Sequence, residues 1–325
     1  MNKTYLRKIL LSQKSQLLIT SEGLASMMME AFPIISSSGN IPVSFFFNDD
    51  PPTYKEISAK ALNAIQKKIK ETAELTDVHL TDEFDSPELP EGSIAYHRIW
   101  GFITASSKWY FSSKQFEADL LNAEANPAIS CHFIHANSPG GEAWYMDRLS
   151  QTMRNLQKPV ITLYEQYNCS ACYYITCHSN YLAALTENDF VGCIGTMIDT
   201  YDYEGYFEKL GIKHIQARAH QSDLKNKKFD DLKNDKPEQY ITDVLDPLTE
   251  QFIAEVRDCR KQMAEASDED PALRGEVFYT QEGIDKGLVD ECMTFIDAVA
   301  KAVEMGDSYL QTQKQKTNAL NYLNQ

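Results

Sequence analysis

Three groups of residues in this chain of 325 are of types that could share one reaction. Pro139-Gly140-Gly141 follows a hydrophobic run and precedes a helix-like segment. Two glycines there let backbone N–H groups approach a ligand closely, and such donors suit a developing oxyanion. Ser170 follows a second apolar run and opens Ser170-Ala171-Cys172-Tyr173-Tyr174. A hydroxyl at a helix N-terminus feels the positive end of the macrodipole, which favours an alkoxide. Lys225, Lys227 and Lys228 form the third group. A lysine kept neutral by apolar surroundings can take a serine proton, and a Ser-Lys pair needs no aspartate. Nucleophile, base and oxyanion donors would make an acyl-transfer site. Each group also has an ordinary reading: a tight turn, an N-cap serine and a solvated lysine run.

Other chemistries find less in the sequence. Pro139-Gly140-Gly141 has neither the dinucleotide nor the phosphate-loop spacing of glycines. The seven histidines fall into no Ser-His-Asp pattern. Cys169 and Cys172 make one C-x-x-C without a second, so a redox pair, a metal site or a cysteine nucleophile there is a minor alternative. The expectation is no metal and no organic cofactor. The seven cysteines are an odd, scattered set and read as reduced, mostly buried thiols.

Charge narrows the partners. Lys and Arg number 31 against 47 Asp and Glu, a net charge of -16. Such a surface repels phosphate backbones and anionic lipid, so nucleic acid is not an expected partner. No apolar stretch approaches the ~20 residues that span a bilayer. Residues 1–20 are broken by Ser12-Gln13-Lys14-Ser15-Gln16 and offer no signal-peptide core. The expected compartment is the cytoplasm.

The elements that must position these groups are read from apolar spacing. Residues 1–40 suggest one or two short helices, 41–47 a strand and 54–75 a solvated amphipathic helix. Residues 82–92 are acidic, carry Pro87 and Pro90, and read as a linker. Strands are expected at 94–103, 129–136, 160–164, 181–184, 190–198, 212–217 and 288–290. Helices are expected at 113–125, 142–157, 170–178, 203–210, 237–264, 280–287 and 295–305, with a loose Gln- and Asn-rich end from 308. Alternating strands and helices imply βαβ units and a largely parallel sheet, an α/β fold. The resulting division is an N-terminal helical arm and linker over 1–85, a main domain over 86–305 and a tail over 306–325.

The order of motifs resembles the signal peptide peptidase A (protease IV) family of the Clp protease/crotonase superfamily, in its phage-type, capsid-maturation branch. The motifs that carry this are Ser138-Pro139-Gly140-Gly141, Lys158-Pro159-Val160, Ser170-Ala171-Cys172-Tyr173, Gly192-Cys193-Ile194-Gly195, Lys209-Leu210-Gly211-Ile212 and Gly275-Glu276-Val277-Phe278-Tyr279 through Gly287-Leu288-Val289-Asp290. The resemblance covers about residues 93–303. It implies a Clp/crotonase-like fold of repeated ββα units and a serine endopeptidase. Ser170 would be the nucleophile, and Gly140, Gly141 and Ala171 the oxyanion donors. Spacing leaves the base open between Gln221 and Lys225, with Lys227 and Lys228 of the same lysine cluster as further alternatives. Lys225 is preferred, because a neutral amide cannot accept a proton. The implied partners are a polypeptide substrate, such as a capsid or scaffold protein, and further copies of the chain in a ring, in a bacterial or phage-infected cytoplasm. An inactive assembly protein and a crotonase-type acyl-CoA enzyme are the alternatives.

Overall fold

The computed structural model describes residues 17–19, 52–72, 75–200, 204–209, 211, 213 and 215–323. The strand expected at 41–47 lies outside them, as do most of the helices expected within 1–40. The elements are β1 Leu17–Ile19, α1 Tyr54–Lys70, β2 Leu80–Thr81, β3 Ser93–Trp100, β4 Ile103–Thr104, β5 Phe111–Ser112, α2 Ser113–Ala125, β6 Ile129–Ser138, β7 Gly140–Glu142, α3 Met146–Asn155, β8 Val160–Cys169 and α4 Ala171–Thr176. They continue with β9 Tyr181–Ala184, β10 Phe190–Gly192, α5 Glu204–Lys209, α6 Lys227–Lys233, α7 Asp246–Cys259, β11 Val277–Tyr279, α8 Thr280–Asp285, β12 Glu291–Cys292 and α9 Phe295–Leu323.

The main sheet has the order β11-β10-β8-β6-β3-β2, with β9 beside β8 and β12 beside β9. Every pairing in it is parallel except β10 with β11. Parallel sheets are covered on both faces, and the strands show it. From β6, Cys131 and Phe133 join a core with Leu62 and Ile69 of α1 and Ala298, Val299 and Ala302 of α9. Ile134 and Ala136 instead join Phe116 and Leu120 of α2, Leu149 of α3 and Phe252 of α7. A period of two thus sends one strand's side chains into two helical layers. Each fully buried Phe or Leu contributes on the order of 1.5–3 kcal/mol, so these two layers hold the sheet in register. The α/β expectation is met.

Local chemistry sets several boundaries. Thr53 and Glu56 form a capping box at α1, with Glu56 N–H donating to Thr53 Oγ1 at 3.2 Å and Thr53 N–H to Glu56 Oε2 at 2.7 Å. Asn126 ends α2 where expected, ahead of Pro127. The 82–92 segment is turn-rich, yet β2 before it pairs with β3 after it.

Other boundaries differ from expectation. Residues 17–19 form a strand rather than part of a helix. The strand expected at 94–103 breaks at Gly101, whose φ of 71° turns the chain from β3 into β4. Residues 142–145 are not helical, because Gly140–Glu142 is drawn into a second sheet, β1-β7-β4-β5. β8 runs five residues past its apolar stretch, to Cys169, because β6 and β10 pair with its polar end. The strand expected at 190–198 stops at Gly192, and residues 215–217 form none. The helix expected to reach 264 ends at Cys259, and the short C-terminal strand is 291–292 rather than 288–290. The tail expected to be loose continues α9 to Leu323.

Candidate active site

Ser170 stands where β8 turns into α4, with φ 55° and ψ -121°. A non-glycine residue there is strained by on the order of 1–3 kcal/mol and needs surroundings that hold it. Here Ser170 N–H donates to Gly192 O at 2.9 Å, and Ser170 O accepts from Tyr174 N–H at 2.9 Å. The side chain makes no capping hydrogen bond, so the residue is not an ordinary N-cap serine. Ser170 is buried, and its Oγ has no hydrogen-bond partner. A buried hydroxyl left unpaired costs about 1–3 kcal/mol. Backbone strain and an orphaned hydroxyl coincide on one residue.

The sheet brings the glycine turn to this serine. Ser138, the last residue of β6, pairs with Asn168 of β8, two positions before Ser170. Beyond it Gly140 has φ 109°, and its N–H donates to Ser138 Oγ at 3.1 Å. Ser138 Oγ in turn donates to Gly101 O at 2.6 Å. Gly141 pairs with Ile103 of β4, and a Cβ on it would lie 2.1 Å from Ile103 O. Close backbone packing is therefore one reason for this glycine. Ala171, buried, is the first residue of α4, where helical geometry leaves the N–H without an intrahelical acceptor.

The structure adds groups that the sequence reading did not single out as site residues. Asn168 is buried with its Nδ2 unpartnered, while Thr176 Oγ1 donates to its Oδ1 at 2.9 Å. Gly192 and Cys193, at φ 116° and 56°, form a second strained turn, whose carbonyl holds Ser170 N–H. A polar residue within a strand gives no sequence signal of this kind until its neighbours are known.

The base candidates lie on an exposed segment. Gln221 is exposed in the helical turn His220–Ser222. Lys225 is exposed in the next turn, its N–H donating to Ser222 O at 3.1 Å. Lys227 pairs with Asp231, and Lys228 with Asp243 at 2.8 Å. None of the four holds Ser170 Oγ, which has no partner.

One lysine is buried elsewhere. Lys158 Nζ donates to Ala123 O and Asn126 O at 2.7 and 2.6 Å, and burial pushes its pKa down to about 8. Lys158 sits at the opposite end of β8 from Ser170, and the 10 residues of β8 span roughly 30 Å at ~3.3 Å per residue, so it closes α2 and does not serve the serine. The Cys169–Cys172 pair is packed rather than reactive: both residues are fully buried, and burial pushes the Cys172 thiol far above its ordinary range. A cavity of about 660 Å³ opens between α1, β3 and α2 beside Tyr54, Arg98, Lys108 and Phe111, and Ser170 does not line it.

The sequence model of peptidase family S49 matches residues 152–307, a stretch that includes Ser170 and 221–228 and leaves Gly140 and Gly141 outside. A putative signal peptide peptidase SppA of Enterococcus faecium is 23% identical over 242 residues, 73% of this chain and 69% of that protein. Protease 4 of Haemophilus influenzae is 26% identical over 192 residues, 57% of this chain. The chain spans 30% of that relative's length. Among solved structures, a mutant of the 1510-N membrane-bound stomatin-specific protease in complex with a substrate peptide is similar at a TM-score of 0.39 and 15% identity, over 66% of this chain and 80% of that one. An enoyl-CoA hydratase/isomerase family member is similar at 0.38 and 11%, over 69% and 74%. No helix of the described residues is long and apolar enough to cross a membrane. Residues 152–307 are thus similar in sequence to peptidase family S49, and the curated relatives they resemble are named as peptidases.

Proposed function

We propose that this chain, with its S49 region over residues 152–307, is a serine endopeptidase whose nucleophile is Ser170 and whose base is Lys225. The observation that carries the reading is the strained, buried Ser170 with an unpaired Oγ at a strand-to-helix turn. Ser170 Oγ attacks the peptide carbonyl carbon, and its proton passes to neutral Lys225 Nζ. The carbonyl oxygen becomes an oxyanion facing the N–H groups of Gly140, Gly141 and Ala171, where it replaces Ser138 Oγ as the acceptor for Gly140. Collapse breaks the C–N bond, and Lys225 returns the proton to the leaving amine. Water, deprotonated by Lys225, then cleaves the acyl-serine ester and restores the hydroxyl.

Lys225 lies on an exposed segment, so the reading includes its delivery to Ser170 on assembly of a homo-oligomeric ring, from the same chain or a neighbour. The likeness of Ser170-Ala171-Cys172-Tyr173 to the phage-type motif supports the finer role, cleavage of capsid or scaffold polypeptides in the cytoplasm. The test uses an unstructured protein substrate. Ser170→Ala and Lys225→Ala each abolish cleavage. Mixing the two inactive variants restores part of it if a neighbour supplies the base. Full activity of Ser170→Ala would overturn the mechanism, and full activity of Lys225→Ala would overturn the assignment of the base.

A further inference from the structure

At the far end of α4 from Ser170 lies a cluster that the peptidase reading does not use. Cys177 caps α4, His178 follows it, and Cys259 ends α7. Their donor atoms all lie within 4.8 Å of one another, and Cys259 Sγ is 3.0 Å from His178 Nδ1. Cys177 is fully buried, the His178 side chain is 1% exposed, and Cys259 is half-buried. Behind the imidazole, His178 Nε2 lies 3.3 Å from Glu255 Oε2. That carboxylate is itself fixed, accepting from Ser150 Oγ at 2.7 Å and from Arg154 Nε at 2.9 Å.

We propose that Cys177, His178 and Cys259 form a binding site for a soft divalent cation of the Zn²⁺ type, which ties the end of α4 to the end of α7. Two sulfurs and one imidazole nitrogen are a donor set that prefers Zn²⁺ over Mg²⁺ or Ca²⁺. The Glu255 carboxylate 3.3 Å from Nε2 favours the tautomer that carries its proton there and leaves Nδ1, the atom beside Cys259 Sγ, to ligate. Charge closes as well. Two buried thiolates would be costly alone, whereas two thiolates and one divalent cation sum to zero, and Arg154 balances Glu255. Binding releases the two thiol protons to solvent. Cys259 is only half-buried, so solvent water would be the fourth ligand.

The site lies one short helix, about 10 Å at ~1.5 Å per residue, from the Ser170 turn, so it would brace that helix without touching the reacting atoms. It stands independently of the peptidase reading. It also departs from the sequence expectation, which looked for sulfur ligands only at Cys169–Cys172. The 177/178 and 259 donors are too far apart in the chain to form a motif.

The test is a Co²⁺ titration of the reduced, metal-free full chain. A near-ultraviolet thiolate-to-metal charge-transfer band is expected, displaced by stoichiometric Zn²⁺. Cys259→Ser should roughly halve the band and weaken Zn²⁺ binding at least about tenfold. Glu255→Gln should keep the band and weaken binding about 10–100-fold. Cys292→Ser, at a cysteine outside the cluster, should change nothing. Absence of the band in the wild-type chain overturns the proposal. So does a band that survives Cys177→Ser and Cys259→Ser unchanged in folded protein. A Cys177–Cys259 disulfide whose reduction restores no metal uptake also overturns it.

Discussion

The two ends of the proposed dyad are built in opposite ways. Ser170 is buried, held at a strained φ by a carbonyl of the neighbouring turn, and placed by the register of β6, β8 and β10. The segment 221–228 is largely exposed, and its lysines at 227 and 228 are engaged with Asp231 and Asp243. A sheet fixes a side chain through dozens of shared contacts, whereas a surface turn fixes one through few, and exposed ion pairs add only about 0–1 kcal/mol each. A nucleophile can therefore be preorganised within one chain while its base is left to an event such as assembly.

The largest effects that would break this contrast are on activity. Ser170→Ala should lower the cleavage rate by at least about 10⁴-fold while the thermal midpoint rises, because the unpaired hydroxyl is removed. Lys225→Ala should lower it by about 10²–10⁴-fold, the usual contribution of a general base. Lys227→Ala and Lys228→Ala should stay within about threefold of wild type, and a large loss in either would move the base.

Stability tests the buried side. Gly141→Ala should cost about 1–3 kcal/mol in urea unfolding, because the new Cβ meets the Ile103 carbonyl and the backbone must move. An unchanged midpoint would show that the glycine is kept for the ligand alone. Ser170→Gly should raise stability by about 1 kcal/mol, since relief of the positive φ exceeds the entropy cost of glycine, while cleavage is lost. A fall in stability would mean that Ser170 is not strained.

The smallest expected effect is a pH dependence on β8 just ahead of the serine. Glu165 Oε1 lies 3.0 Å from His135 Nε2, and this close His135 imidazole holds its carboxyl below the usual range. Its folded value is depressed, so its stabilising contribution is present above the unfolded value of about 4.3 and is lost as pH falls through the lower folded one. Glu165→Gln should be less stable than wild type near neutral pH, and the gap should close in acid. A gap that does not narrow would remove this carboxylate from the balance.

Legibility in the sequence followed the same divide. The helix over 113–125 was readable to the residue, because Ser112 caps it and Asn126-Pro127 stops it. β6 was readable because Ile129, Cys131, Phe133, Ile134 and Ala136 place apolar residues on both of its buried faces. Ser170 was readable as a position, through its place between an apolar run and a helix. Its strain and its unpaired hydroxyl were not, because they depend on Gly192, more than twenty residues further on.

The sequence by itself determined the alternation of strands and helices, the two turns at Gly140 and Ser170, and the residue types available for chemistry. These rest on local spacing, capping and breaker residues, which act within a few positions. Tertiary structure alone decided that residues 140–142 form a strand, that β8 extends through its polar end, that Ser138 Oγ occupies Gly140 N–H, and that Cys177, His178 and Cys259 meet. Each of these depends on partners distant in the chain. A hydrogen bond or a packing contact between such partners leaves no periodicity in the residues that make it.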